Sequence, residues 1–370
     1  MKEIPLARPD IGTKEIQYVT EVLQTPHLSL GPKLPEFEAK IAQFASVKYA
    51  IAVNSGTSAL HLIVKALGIR EGDEVITTPF SFVASANCIL FERARPVFVD
   101  IDCKTLNIDA SKIEEKINSR TRAILAVDVF GHPAEWDELE RIAHEHHLSL
   151  IEDSAEAMGS EYKGRRAGSF GDAGVFAFYP NKQMTTGEGG VVLTNNEQIA
   201  RLCRSLRNQG RGESGEWLQH ERLGYNYRLS ELQCALGLAQ LERMEELLSK
   251  RARIAELYNK HLRGMDSVEI PCIASNVKIG WFVYVIRLAV RYTRSDRDRI
   301  LHELRKRKIG CSNYFSPIHL QPFYREQYGY KSGDFPVTEH VADRTIALPF
   351  YNDLAVAEIE HVVSSLKQLL

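Results

Sequence analysis

Apolar residues along this chain keep two rhythms, short continuous runs and longer stretches in which they return at helical spacing. Helical spacing over 14–23 and 33–44, parted by a Gly31-Pro32 turn, predicts an entry segment ahead of the main fold. From Tyr49 the rhythms alternate. Strands are predicted over 50–54, 74–78, 96–100, 123–127 and 148–152, and helices over 57–67, 80–91, 110–117 and 134–147. That order predicts an α/β fold with a mostly parallel sheet. A further β-prone run, 175–179, leads into a polar segment holding one lysine, Lys182. The Gly189-Gly190 pair then returns the chain to an apolar run over 191–194, so the stretch reads as strand, functional loop, strand. Beyond it come a helix over 198–206 and a glycine-rich polar loop over 208–215, expected to be mobile. One long helix over 230–262 follows and is expected to link two domains. A strand over 283–288 and helices over 296–306 and 356–369 complete a smaller α+β domain, with the division placed at 1–240 and 241–370.

Composition narrows the class. A chain of 370 residues, 44% of them hydrophobic, can bury a substantial core. Its formal charge of -2, with no long run of one sign, gives no footprint for nucleic acid or an anionic membrane. The local cluster Arg305-Lys306-Arg307-Lys308 reads as a solvated helix end, the other reading being a phosphate-binding patch. No apolar run is long enough to span a bilayer, and Met1-Lys2-Glu3-Ile4-Pro5 lacks the apolar core of a signal peptide, so a cytoplasmic location is expected. Six scattered cysteines without a Cys-x-x-Cys pair suggest reduced, mostly core-filling thiols, with neither a zinc site nor a disulfide framework. No metal is expected.

Lys182, held between two buried strands, can be partly desolvated, which lowers its pKa and frees the amine to attack a carbonyl; its bland reading is a solvated surface charge. Ser55-Gly56-Thr57-Ser58 lies at a strand-to-helix junction, where glycine permits close approach and the first helical amides can hold a phosphoryl group. The same residues could simply cap the helix. Asp153 follows an apolar strand and stands where α/β folds place their ligands; it can hold a proton on a ring nitrogen, or serve as a cap or structural ion pair. Phe82 begins the helix after the next strand and could stack on a ring or fill the core. Phosphate clamp, ring-nitrogen partner and amine together are what pyridoxal 5'-phosphate (PLP) needs.

These residues resemble the DegT/DnrJ/EryC1/StrS family of sugar aminotransferases, and the resemblance covers essentially the whole chain. It is carried by Pro5-Leu6-Ala7-Arg8-Pro9, Asn54-Ser55-Gly56-Thr57-Ser58-Ala59-Leu60-His61, Gly131-His132-Pro133, Ile151-Glu152-Asp153-Ser154-Ala155-Glu156-Ala157, Lys182 with Thr185-Thr186-Gly187-Glu188-Gly189-Gly190, Gly224-Tyr225-Asn226-Tyr227-Arg228 and Pro317-Ile318-His319. It implies a fold type I PLP-dependent transferase: a large domain on a mostly parallel seven-stranded sheet, plus the smaller α+β domain. Lys182 would condense with the cofactor aldehyde and shuttle a proton, and Asp153 would pair with the pyridine nitrogen. Ser55, Gly56 and Thr57 would lie at the phosphate, Phe82 on the ring, Glu156 by the phenolic oxygen. Asn226 would reach the phosphate of the neighbouring subunit in a homodimer with shared active sites, and Tyr314 and His319 would line the sugar-nucleotide pocket.

Two departures stand out. Glu156 occupies a position where many relatives carry glutamine, although glutamate is familiar in the perosamine synthase-like branch. Ala177 occupies a position where many relatives have a phosphate-contacting serine, so that bond is either missing or supplied by another group such as Ser55 or Tyr179. The implied activity is amino transfer, with glutamate as the donor, to a keto-sugar carried on a nucleoside diphosphate, a 4-keto-6-deoxy sugar being favoured. A sugar dehydratase is the chemical alternative, but such relatives have histidine where this chain has Lys182. A cofactor-binding sensor or interaction protein of the same fold is the other.

Overall fold

A computed structural model describes residues 3–212 and 219–370. Its central sheet has seven strands, in the order Tyr49–Val53, Gly190–Thr194, Ala173–Ala177, Ser149–Asp153, Thr121–Val127, Glu74–Thr77 and Arg95–Phe98. Gly190–Thr194 runs antiparallel to both neighbours; the other pairings are parallel. Because successive side chains point to opposite faces, Ala123, Leu125 and Val127 join one apolar cluster while Ile124 and Ala126 join another. Both faces are therefore buried, which is why these strands read as continuous apolar runs. One face carries the helices Gly56–Ala66, Ala84–Phe91 and Glu197–Arg207, and the other carries Trp136–Glu145 through Trp136, Leu139 and Ile142.

Three expectations need correction. The helix over 110–117 is two 3-10 turns, Ala110–Lys112 and Glu114–Lys116, because the Asp109 side chain ties up the Ser111 amide and only Ala110 and Ile113 are buried there. The helix over 80–91 starts at Ala84; the Phe80 amide is taken by the Thr78 hydroxyl (3.1 Å), so Phe82 lies in the bend ahead of the helix. The long helix over 230–262 is two, Glu231–Glu242 and Met244–Leu262, parted at Arg243 (φ -103, ψ 8). Arg243 is drawn aside by Asp10, Glu15 and Glu246 at 3.0, 2.8 and 3.1 Å. Of the predicted mobile loop, residues 213–215 lie outside the described residues.

The remaining C-terminal chain builds a second core. An antiparallel sheet of Val268–Glu269, Tyr284–Leu288 and Thr345–Leu348 packs with helices Met244–Leu262, Arg294–Lys306 and Val356–Lys367 through Ile254, Tyr258, Ile286, Ile300, Ile346 and Ile359. Met244 and Leu247, at the start of the same helix, pack instead into the core beneath the large sheet. That helix thus joins both cores. The amino-terminal segment returns to the second core, the Ile4 amide donating to the Lys308 carbonyl (2.9 Å). The basic cluster lies at a helix end, with Arg307 as the C-cap. Cys88, Cys203, Cys234 and Cys311 are buried, Cys103 and Cys272 exposed, and all six are free thiols. Among the described residues no helix is long and apolar enough to cross a membrane.

Candidate active site

The strand Ser149–Asp153 ends on Asp153, paired on one side with Val127 and on the other with Val175, so the sheet itself sets the carboxylate at its carboxyl edge. Asp153 Oδ2 accepts from the Ser85 hydroxyl (2.6 Å) and Oδ1 from the Ala155 amide (3.2 Å). Burial pushes this carboxyl above the usual range, while those two donors and the Lys182 charge pull it back.

Lys182 follows the strand Ala173–Ala177 in a turn closed by its amide on the Tyr179 carbonyl (2.9 Å). Its Nζ lies 3.6 Å from Glu156 Oε1 and 3.9 Å from the centroid of the Phe282 ring. Burial holds the amine below the ordinary lysine range, against the opposing pull of Glu156 and Asp153. Burial also raises Glu156, even though the Phe130 amide donates to its Oε2 (2.9 Å). Burial thus moves the two groups toward one another, the amine downward and the carboxyl upward.

At the other end of the site Ser55 caps the helix Gly56–Ala66, accepting from the Ser58 amide (3.0 Å) and bonding the Ser58 hydroxyl (2.9 Å). Its hydroxyl is engaged there. The amides of Gly56 and Thr57 meet no acceptor among the described residues and stand at the positive end of the helix dipole. Glycine is required at the cradle: a Cβ on Gly56 would fall 2.8 Å from that of Ala177, and one on Gly190 would fall 2.6 Å from the Gly56 nitrogen. Tyr179, two residues beyond Ala177, is 53% exposed.

Phe82 is 60% exposed, on the bend just ahead of the helix whose first turn brings Ser85 to Asp153. Tyr314 packs against the cluster of Phe282 and Val283, stacked on Phe315, and its hydroxyl feels the Glu156 charge. His319 is placed differently. It is fully buried, its Nε2 3.0 Å from Glu339 Oε1 and its ring edge-on to Phe335, so its contacts are those of a core residue, away from the Lys182 group. Asn226 is exposed, its backbone bridged to Asn208 and its neighbour Tyr227 accepting from the Asn54 amide (2.9 Å). The sequence reading missed Ser85, Phe282, Gln183 and Arg251, all of which touch this group. For Ser85 there was a faint signal, the Ser81/Ser85 pair four residues apart beside Phe82, and Gln183 is the neighbour of Lys182; Phe282 and Arg251 reach the site only through the fold.

A sequence model of the DegT/DnrJ/EryC1/StrS aminotransferase family matches residues 9–367. The GDP-perosamine synthase of Caulobacter vibrioides is 37% identical over 100% of this chain and 99% of its own. Among solved structures, Helicobacter pylori PseC, an aminotransferase of pseudoaminic acid biosynthesis, superposes with a TM-score of 0.94 at 31% identity, covering 100% of this chain and 99% of its own. Spr1654 of Streptococcus pneumoniae, solved in a PLP-form, gives 0.95 at 26% identity, covering 100% and 98%. With the family matched from end to end and the sheet that its solved members share, the chain belongs to the DegT/DnrJ/EryC1/StrS aminotransferase family, whose members are PLP-dependent sugar aminotransferases of fold type I.

Proposed function

We propose that this chain transfers an amino group from glutamate to the keto carbon of a nucleoside-diphosphate sugar, with a 4-keto-6-deoxy sugar as the favoured acceptor. The observation that carries the reading is the buried Lys182 amine, 3.6 Å from Glu156 Oε1 and pushed by burial below the ordinary lysine range. PLP fits the residues present: two unclaimed helical amides, an exposed aromatic ring, a buried carboxylate and a free amine face one region. When bound, it supplies an aldehyde for the amine and a ring that takes up the electron pair released as a proton leaves carbon.

The chain's own groups divide the work. Gly56 and Thr57 hold the phosphate through their amides, the partner subunit's Asn226 reaches it from across a two-fold axis, and the Tyr179 hydroxyl takes the place of the serine missing at Ala177. Phe82 covers the ring. Asp153, oriented by Ser85 and Ala155, keeps the ring nitrogen protonated. Glu156, whose carboxyl burial pushes upward, would stand by the phenolic oxygen, where a proton shared between them would keep two negative charges from meeting. Lys182 would supply the amine that the aldehyde condenses with and would serve as the acid-base group that takes and returns a proton. Tyr314 forms a wall of the sugar pocket, and His319 acts from beneath it by bracing the Pro317–Leu320 turn. The lobes are taken as 1–240 and 241–370, with Ile4 crossing into the second core and Met244 and Leu247 into the first, and the cytoplasm as the place where the protein works.

A dehydratase is disfavoured by Lys182 itself, and a sensor by the complete set of Lys182, Asp153 and Thr57. Glutamate added to cofactor-loaded protein should bleach its yellow colour and release stoichiometric 2-oxoglutarate. A panel of nucleotide 3-keto and 4-keto sugars should then restore the colour with one of the 4-keto compounds. Cofactor that stays yellow with glutamate, together with no aminated sugar from any of the panel, contradicts the reading and favours the sensor.

A further inference from the structure

Arg251, on the helix Met244–Leu262, is 3% exposed, and among the described residues it has no carboxylate within ion-pair distance. Asp10, the acid whose field reaches it, is engaged by Arg243 and Lys250. A cation buried without a counter-ion is expensive to keep, which calls for a reason.

What the guanidinium does hold is main chain. Nη2 donates to the Lys182 carbonyl (2.7 Å) and lies 3.5 Å from that of Asn181, and Nη1 donates to the Phe282 carbonyl (3.0 Å). The Phe282 ring is the surface against which Lys182 Nζ rests. One planar fork therefore grips the peptide that carries the amine and the peptide that carries the ring beneath it. Gln183 reinforces the join, its side-chain amide donating to the Glu156 and Gly280 carbonyls (2.6 and 2.7 Å).

We propose that Arg251 is a positioning residue for Lys182: its guanidinium clamps the Lys182 and Phe282 carbonyls together, so that the amine is presented in a single orientation. The inference rests on the reading of Lys182 as the condensing amine. A second consequence follows from charge. The charged groups acting on that amine are Glu156 and Asp153 from the end of the sheet and Arg251 from the helix. Arg251 is the positive one among them and adds to burial in lowering the amine's pKa.

The test uses cofactor-free wild type, Arg251→Lys and Arg251→Met, each mixed with PLP while the yellow absorbance is followed across pH. Arg251→Lys keeps the charge but cannot span both carbonyls, so the rate should fall about tenfold or more with its pH midpoint unmoved. Arg251→Met should lose as much rate and also shift the midpoint upward, because the nearby positive charge is gone. If both variants match the wild-type rate and midpoint and only their melting temperatures drop, Arg251 is a strut and the proposal is overturned. Should Arg251→Met fail to fold, the rate of Arg251→Lys decides. Borohydride mapping of the wild type separates the two levels: an adduct on another lysine would sink the reading of Lys182, whereas an adduct on Lys182 with unaltered variants sinks only the clamp.

Discussion

The Ser85 hydroxyl and the Ala155 amide meet the two oxygens of Asp153 at 2.6 and 3.2 Å, leaving the carboxylate oriented but still able to accept from a cationic donor. Asp153→Asn keeps the shape and removes the charge, so it should fold with an unchanged melting temperature and lose about a hundredfold or more in kcat. A melted variant whose folded fraction turns over at the wild-type rate would make Asp153 structural. A second buried acid pair carries a pH prediction. Asp128 Oδ1 accepts from the Ala134 amide (2.8 Å) and the Trp136 indole (3.1 Å), while its Oδ2 has no donor. Oδ2 faces Glu152, whose own oxygens accept from the Gly168 and Phe170 amides. Burial raises both carboxyls, so the folded pair holds a proton to higher pH than the unfolded chain does. Stability contributed this way is fully present below the unfolded pKa and is lost as pH rises through the folded one. The loss is about 1.4 kcal/mol per pH unit for one proton. Asp128→Asn places an N–H where the proton was, so its melting temperature should fall less steeply than wild type between about pH 5 and 8. Parallel curves would rule out the shared proton. Lys182, Asp153 and Gly56 were legible in the sequence because each sits where one apolar rhythm stops and the next has not begun. Ser85 and Arg251 were not, since what identifies them is a partner far along the chain that no local spacing encodes.

The strand Gly190–Thr194 pairs with Tyr49–Val53 in a register that sets Gly190 opposite Val53, and this presses its backbone against the Ser55–Gly56 peptide. Gly190→Ala forces that peptide aside. The variant should keep its far-ultraviolet circular dichroism yet bind PLP about tenfold or more weakly, because the phosphate amides are displaced. Unchanged affinity in a titration would show that the cradle is not where the phosphate is held. The apolar pattern foretold this strand and its neighbours, since continuous runs buried on both faces leave little ambiguity. It failed where backbone geometry turns without a breaker residue. Nothing in the helical spacing of 230–262 announces the break, which depends on Arg243 meeting Asp10 and Glu15 from the other end of the chain. The turns at Ala110–Lys112 and Glu114–Lys116 were over-read as a helix for the same reason, their outcome resting on Asp109.

Several large apolar side chains stay uncovered on a single chain, among them Ile16 (62%), Leu23 (59%), Leu30 (52%) and Leu223 (79%), more than an isolated subunit gains by exposing. They suit the two-fold partner that the proposed role of Asn226 requires. In such a dimer each subunit lends its neighbour the patch it receives, so Lys182→Ala and Asn226→Ala, each nearly inactive, complement one another when co-expressed. With random pairing about a quarter of wild-type activity should return. Mixed dimers verified by tagged pull-down but inactive would mean that Asn226 serves its own subunit. Fold class and the order of the large-domain elements could be read from the sequence; the seating of His319 in the core could not, because a lone histidine carries no mark of its burial. All of these consequences hang on one amine, and one measurement addresses it directly. Borohydride reduction of the yellow, cofactor-replete protein, followed by peptide mapping, should find the cofactor fixed to Lys182 and to no other lysine. An adduct elsewhere, or none in protein shown to be loaded, would contradict the account.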